Sequence, residues 1–383
     1  LEALWKGPTS LVATEDFAWR CGFSPDGRRL VQARYLYAEN DDGHLRIFKA
    51  DGSNEFLGNA HPEAPSVSLS TITDSGHFVS FGSGADSTWE HILWSMPEGR
   101  RLADIRYKEP AYTLGIAGDP NRDRHTLFVL ENDRAVVDAL GYDGSVEHLD
   151  TLEFQYPTAR DWRRNVALDL RDGHRIAAVV ENEVLVFEIG DERLSEPRHL
   201  GRVDGAVVGV AVDPLGKFVA TADAEGEIRL WSLTEKSPSV VLHGPPGIQV
   251  FRITNDGSLL EAAVSEEGNW VSWAWNLARN PPQFLRRFDV GGIGSGGWRW
   301  DTVGRQVARW GPDLKIRVWS MDAPPDAEPL VLLRGDIQQI NNLSFNLRGG
   351  WLATADAAGL ALWPFARDYP VVIRRHEQGL RGL

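Results

Sequence analysis

One phrase recurs along the chain: an alternating apolar run, a tight turn, and a second apolar run. It reads Phe17-Ala-Trp-Arg-Cys-Gly-Phe-Ser-Pro-Asp-Gly27 and then Arg28-Arg-Leu-Val-Gln32. It returns as Val208-Gly-Val-Ala-Val-Asp-Pro-Leu-Gly216 with Lys217-Phe-Val-Ala-Thr221, and as Val250-Phe-Arg-Ile-Thr-Asn-Asp-Gly257 with Ser258-Leu-Leu-Glu-Ala262. Fainter copies turn at Gly76, Asp123, Gly173, Gly304 and Gly349. Successive turns are 41 to 50 residues apart, with a mean of 46. Eight units of that period nearly exhaust 383 residues and leave little chain for another domain.

Each unit divides into four strand-like stretches. In the fifth unit these are Val207–Val212, Phe218–Ala222, Glu227–Ser232 and Val240–His243, separated by Asp213-Pro-Leu-Gly216, Asp223-Ala-Glu-Gly226 and the segment 234–239. Alternation with period two marks half-buried strands, and Gly, Pro and Asp clusters mark the turns between them. No stretch reads as a helix longer than a turn or two; Pro157 interrupts the nearest candidate, residues 153–164. Four antiparallel strands at this period predict an all-β chain: a single closed β-propeller of eight four-stranded blades, with seven as the alternative.

The third strand of several units ends in tryptophan: Ile228-Arg-Leu-Trp-Ser232, Ile316-Arg-Val-Trp-Ser320, Leu360-Ala-Leu-Trp-Pro364 and Ile92-Leu-Trp-Ser95. Together with the turn Ser24-Pro-Asp-Gly27, these phrases make the chain resemble the WD-repeat family over essentially its whole length. The resemblance is degenerate. None of these tryptophans is followed by aspartate, and the Gly-His that precedes the innermost strand in the family is missing; Leu242-His-Gly244 and Leu333-Arg-Gly335 keep only its approach. The family's histidine–hydroxyl–tryptophan hydrogen-bond set is therefore not expected in its usual shape, and apolar packing between blades is expected to supply the rigidity. The resemblance implies a non-enzymatic protein-interaction scaffold within a larger, bacterial signalling protein, attached to a kinase or a STAND-type ATPase. The start at Leu1-Glu2 and the arginine-over-lysine bias fit that expectation. The predicted boundaries are a linker or N-terminal edge strand over 1–16, the propeller over 17–376, and a tail over 377–383. Residues 3–6 are candidates for the outer edge of the last blade, although the eighth unit also holds a fourth stretch at Val371–Arg375.

Charge and composition narrow the chemistry. Net charge is −14, which disfavours a nucleic-acid surface. A single cysteine, Cys21, excludes an intrachain disulfide and a multi-cysteine zinc site. No run of about 18 apolar residues predicts a membrane span. A cytoplasmic location is expected, with an extracytoplasmic one left open. The sequence holds no P-loop and no G-x-S-x-G elbow, and the ten histidines are scattered rather than spaced as ligands along a strand. The glycine run Gly291-Gly-Ile-Gly-Ser-Gly-Gly297 reads as a connection between units six and seven rather than a phosphate cradle. No cofactor, metal or catalytic residue is predicted. The rival class is a sensor or enzyme binding a small ligand in the central channel. It would need polar groups converging on innermost strands that read as mostly apolar.

Two features point to a binding surface. Turns between second and third strands carry acids: Asp41 and Asp42, Asp86, Glu131 and Asp133, Glu181 and Glu183, Asp223 and Glu225, Glu266 and Glu267, Asp313 and Asp356. All these turns would open on one face, although aspartate also suits tight turns for its own reasons. Tryptophan is the second feature. Trp94, Trp231, Trp275, Trp319 and Trp363 sit at the third-strand position, and Trp298 and Trp300 alternate along an innermost strand, so these read as core. Trp89, Trp162 and Trp310 read as turn residues near the acidic face, and Trp273 stands where other units have Arg229 and Arg317. The candidate binding residues are therefore Trp89, Trp162, Arg163, Arg164, Glu266, Glu267 and Trp310. The expected partner is a protein or peptide, basic by preference, with no nucleic acid and no membrane insertion.

Overall fold

The alternating runs fold into antiparallel meanders, and each meander closes its apolar faces only against the next one. The computed structural model describes residues 18–364 except for 25–27, 35–43, 50–53, 60–66, 70–75, 84–87, 97, 109–110, 120, 132–133, 155–163, 170–173, 235–238, 255, 293–296, 302–304, 311–314, 325–326, 334–339, 347–349 and 357–358. The expected termini, 1–16 and 377–383, lie outside the described residues, as do residues 3–6 and Val371–Arg375.

Eight sheets run in chain order, each a meander of neighbouring strands. Blade one spans 18–59, blade two 67–108, blade three 111–152 and blade four 166–202. Blade five spans 207–243, blade six 250–292, blade seven 297–333, and blade eight shows three described strands over 340–364. This is an eight-bladed β-propeller. Blade five keeps the expected strands to within a residue: Val207–Val212, Phe218–Asp223, Glu227–Ser232 and Val240–His243.

The core lies between the blades rather than within them. Val31, Leu45 and Ile47 of blade one pack on Phe78, Ile92 and Trp94 of blade two. Corresponding layers join each later pair: two to three, three to four, four to five, five to six, six to seven and seven to eight. Cys21, Phe23, Leu30 and Phe48 then meet Ala353, Ala355 and Leu362, joining blade one to blade eight and closing the ring. A blade alone exposes both faces, so neighbours supply most of its stability.

Strand polarity fixes two faces. In an antiparallel meander, first-to-second and third-to-fourth turns share one end, here the lower face. Second-to-third turns and the connections between blades share the other, the upper face.

Polar groups hold the turns of the lower face. In blades one, five, six, seven and eight the residue after the innermost strand has a side chain that accepts backbone N–H groups of its own turn. Asp213 accepts from Leu215 at 3.2 Å and Lys217 at 3.0 Å, and Asp301 from Arg305 at 2.7 Å and Gln306 at 3.1 Å. Asn346 accepts from Trp351 at 3.0 Å, Thr254 from Leu259 at 3.0 Å, and Ser24 from Arg29 at 2.9 Å. These are Asx- and Ser/Thr-turns, a local alternative to ladder bonding. Gly216 (φ +67°) holds a left-handed backbone that favours glycine, close under the Arg175 guanidinium of the preceding blade.

Of the WD-repeat hydrogen-bond set, the tryptophan–hydroxyl bond is present in three blades, without the histidine. Trp94 Nε1 donates to Ser80 Oγ at 2.8 Å, Trp231 to Thr221 Oγ1 at 2.9 Å, and Trp363 to Thr354 Oγ1 at 3.2 Å. In each case the hydroxyl lies two residues beyond the residue that the tryptophan faces across the ladder. Trp275 and Trp319 have Ala262 and Arg309 at that place, so no hydroxyl is available. Rigidity thus draws on buried hydrogen bonds as well as apolar packing.

Candidate interaction site

The upper face is built from tight turns that fix their acids in space. Glu181 (φ 50°) and Asn182 (φ 68°) form the blade-four turn, and Glu267 (φ 49°) precedes Gly268 (φ 82°) in blade six. Two successive left-handed residues make the turn whose twist matches a hairpin. In blade five Asp223 is buried and accepts N–H bonds from Glu225 at 3.1 Å and Glu227 at 2.8 Å. Asp223 is therefore a turn-forming acid and not part of an exposed rim. A Cβ on Gly226 (φ +89°) would lie 2.6 Å from the Gly244 carbonyl oxygen, which presses this turn onto the connection to blade six.

The remaining described acids divide into two groups. One is already neutralised: Glu183 faces Arg202 at 3.5 Å, Glu266 faces Arg287 at 2.6 Å, and Arg229 takes both Glu227 at 2.5 Å and Asp204 at 3.6 Å. Glu181, Glu225 and Glu267 are exposed at the turn tips of blades four, five and six, with no ion-pair partner among the described residues. Asp41, Asp42, Asp86, Asp133 and Asp313 lie outside the described residues, as do the side chains of Glu131 and Asp356.

The predicted aromatic anchors fare unevenly. Trp89 is not in a long turn. It is the second residue of the strand Thr88–Ser95, pairs with Tyr107, and is half-buried against the layer joining blades two and three. Its strand begins at the upper face, so its exposed part belongs to that face. Arg164 is half-buried in a helical turn leading into Val166–Leu168, while Trp162 and Arg163 lie outside the described residues. Trp310 is a correction: it ends the strand Gln306–Trp310 rather than sitting in a turn, and it is buried among Ile316, Val318, Leu343 and Trp363. Alternation along the strand turns Trp310 inward with Ala308. Trp273 is half-buried, 5.5 Å from Phe284 and 6.2 Å from Trp275.

Among the buried carboxylates that escaped the sequence reading, two join neighbouring blades through several donors. Glu261 of blade six accepts from Ser272 Oγ at 2.6 Å, Trp298 Nε1 of blade seven at 2.5 Å and Arg252 Nε at 2.5 Å, linking the two blades. Asp138 accepts from Tyr107 Oη of blade two at 2.6 Å and pairs with His148 Nδ1 at 2.8 Å, while His148 Nε2 lies 3.2 Å from Thr151 Oγ1. The only available signal was an acid interrupting an apolar run, as in Leu259-Leu-Glu-Ala-Ala263 and Val136-Val-Asp-Ala139.

The Asp138–His148–Thr151 chain has the order of a nucleophile relay. Such a relay also needs donors aimed at an oxyanion and a site that excludes water. His148 is 57% exposed on an outermost strand. The arrangement orients strands rather than building a pocket. Among the described residues no group of three or more His, Cys, Asp or Glu is placed to hold a metal. No described helix is long and apolar enough to cross a membrane.

Comparison with known proteins settles the fold. Residues 197–232, the end of blade four and most of blade five, match the family described as WD domain, G-beta repeat. The C-terminal WD40 domain of Sif2 superposes with a TM-score of 0.63 at 15% identity, covering 93% of this chain and 98% of that one. The fold is that of a WD-repeat β-propeller. Sqt1 from Chaetomium thermophilum, solved bound to the N-terminus of the ribosomal protein L10, is similar to this propeller with a TM-score of 0.59 at 15% identity, covering 92% and 98%. The Dos1 propeller gives 0.58 at 12%, covering 95% of each chain. No curated protein matches the sequence. At these identities the propeller shares an architecture with its neighbours, and its own surface must supply any functional argument.

Proposed function

We propose that this propeller is a non-enzymatic interaction scaffold that receives a basic protein segment on its upper face, as a module of a larger signalling protein. The observation that carries the reading is the arc of three exposed acids, Glu181, Glu225 and Glu267, held on rigid turns of consecutive blades. Their neighbours are already matched by arginines, so these tips are where a cationic partner finds uncompensated charge. Support also comes from the solved neighbour Sqt1, which holds the N-terminal segment of another protein. The acids would set association rate and salt dependence. Trp89, Arg164 and, by sequence, Trp162 and Arg163 would provide anchors. Trp310, being buried, is withdrawn from that set.

Site-specific photo-crosslinking in the source cell tests this, with the probe residue at Glu181, Glu225 or Glu267 and control positions at Phe284 and Leu215. Adducts from the tip positions that fade as salt rises are expected, and Trp89→Ala should weaken capture by roughly 2 kcal/mol or more. Adducts from the control positions alone would overturn the proposal.

A further inference from the structure

We propose that the outermost strand of blade two, Arg100–Lys108, is a second docking site that takes an acidic segment in extended conformation as a fifth strand of the blade. This site lies along the outer edge of the blade, meets the upper face only at Trp89, and selects the opposite charge.

The strand is nine residues long and ends its sheet, pairing among the described residues only with Thr88–Ser95. The outermost strands of blades one, three, four, five and seven have six, seven, five, four and four residues, and among the described blades that of blade six, with ten, is longer. Propellers ordinarily keep such edges short, because an open row of backbone donors and acceptors invites pairing. This edge is long, and it is also held rigid. Ala103 and Tyr107 are buried in the layer between blades two and three, and the Tyr107 hydroxyl is tied to Asp138. A partner would therefore meet an ordered template and lose little conformational freedom on the protein's side.

Charge decides which partner. Arg100, Arg101, Arg106 and Lys108 are exposed along the strand of a chain whose net charge is −14. The carboxylates facing them are Asp104, 2.9 Å from Arg101, and the buried Glu90, 3.3 Å from both Arg101 and Arg106. Arg100 and Lys108, at the two ends, have no acidic partner among the described residues. Cations on an edge repel basic strands and would lose hydration against apolar ones, which protects against indiscriminate pairing. The same cations favour a strand with Asp or Glu at alternate positions, since opposite charges directly across a ladder stabilise it. The lower end is partly covered: a Cβ on Gly144 of blade three would lie 3.0 Å from the Leu102 carbonyl. Among the described residues the stretch left for pairing is 103–108, which runs up to Trp89 at the upper face. Strand addition of this kind draws affinity from main-chain bonds and selectivity from side chains.

The test uses a fluorescent peptide, Thr-Glu-Val-Glu-Val-Glu-Thr, read by polarisation against the whole propeller. Controls are its Lys-for-Glu analogue and an acidic analogue N-methylated at alternate residues. The acidic probe is expected to bind, more weakly as salt rises from about 50 mM to about 300 mM. Arg106→Glu with Lys108→Glu should weaken binding roughly tenfold or more. Both positions are exposed, and an unchanged urea midpoint confirms that the variant folds. Glu192→Gln, at an exposed position in neither site, should leave binding unchanged. Absence of binding by the acidic probe, or equal binding by the reversed-charge variant, overturns the proposal. Equal binding of the N-methylated probe also overturns it, because charge alone would then hold the peptide and no strand would be added.

Discussion

His125 carries a prediction that can be worked through from its surroundings. It lies on the second strand of blade three, is 1% exposed, and neither ring nitrogen has a hydrogen-bond partner among the described residues. Its ring lies 5.7 Å from Tyr142, which stacks on His77 at 3.7 Å. Burial, with a smaller contribution from the His77 charge, lowers its pKa from 6.5 to about 3. Above 6.5 the imidazole is neutral whether the chain is folded or not, and it adds no pH dependence. Below 6.5 the unfolded chain binds a proton that the folded chain refuses until about pH 3, so stability falls as pH falls across that window. One proton is worth about 1.4 kcal/mol per pH unit. Between about pH 7.5 and about pH 5 the integrated loss is about 2 kcal/mol. His125→Leu removes the titration and leaves every other acid and base in place. Urea unfolding at the two pH values gives four stabilities. The wild type should lose about 2 kcal/mol more than the variant on acidification. Parallel losses in the two proteins would refute the argument, because they would mean the imidazole accepts its proton within the fold.

Other perturbations probe the links between blades. Gly201→Ala would place a Cβ 2.4 Å from the Trp231 ring; a loss of about 2 kcal/mol or more is expected in denaturant melts, and an unchanged midpoint would mean that the ring is free to move. Thr221→Val should cost about 1 to 3 kcal/mol by stranding the Trp231 N–H, with tryptophan emission reporting the change. Glu261→Leu leaves Ser272, Trp298 and Arg252 without their shared acceptor and should cost more than Glu261→Gln, which still accepts; equal costs would argue against the acceptor role. Asp119→Ala should speed amide exchange in blades three and four together, since Asp119 accepts from Arg122 at 2.9 Å and from His174 of the next blade at 2.9 Å.

The period, the strand count and the ring were legible because they rest on alternation and turn chemistry, which are local. Blade five was readable to within a residue, since Asp213-Pro-Leu-Gly and Asp223-Ala-Glu-Gly punctuate it sharply. The site was less legible because exposure depends on neighbours. Trp310 stands before a turn in the sequence, yet its side of the strand faces blade eight. Asp223 reads as a rim acid, yet its carboxylate turns back onto its own backbone, while Glu225 beside it stays exposed. Which of two adjacent acids does which is decided by turn geometry. Glu261 and Asp138 were missed because an acid in an apolar run looks like a lapse in the pattern until the donors of the next blade are seen.

Those inter-blade donors explain how a propeller this far from the WD-repeat signature holds its blades together. Where the tryptophan–hydroxyl bond is lost, in blades six and seven, Glu261 joins the two blades through Ser272, Arg252 and Trp298. Farther round, the Arg124 guanidinium of blade three donates to the carbonyls of Gly190 and Asp191 in blade four, at 2.7 and 3.1 Å. Arg198 of blade four donates to the Leu233 carbonyl of blade five at 2.9 Å. A buried charge that meets carbonyls and paired acids is tolerated, and each such link depends on both blades holding their places. The consequence for binding is direct. Tips such as Glu181 and Glu267, and the edge at Arg100–Lys108, are presented by blades that cannot tilt independently. A partner spanning several blades therefore meets fixed spacings, and selectivity can reside in the positions of a few charges rather than in the reshaping of a loop.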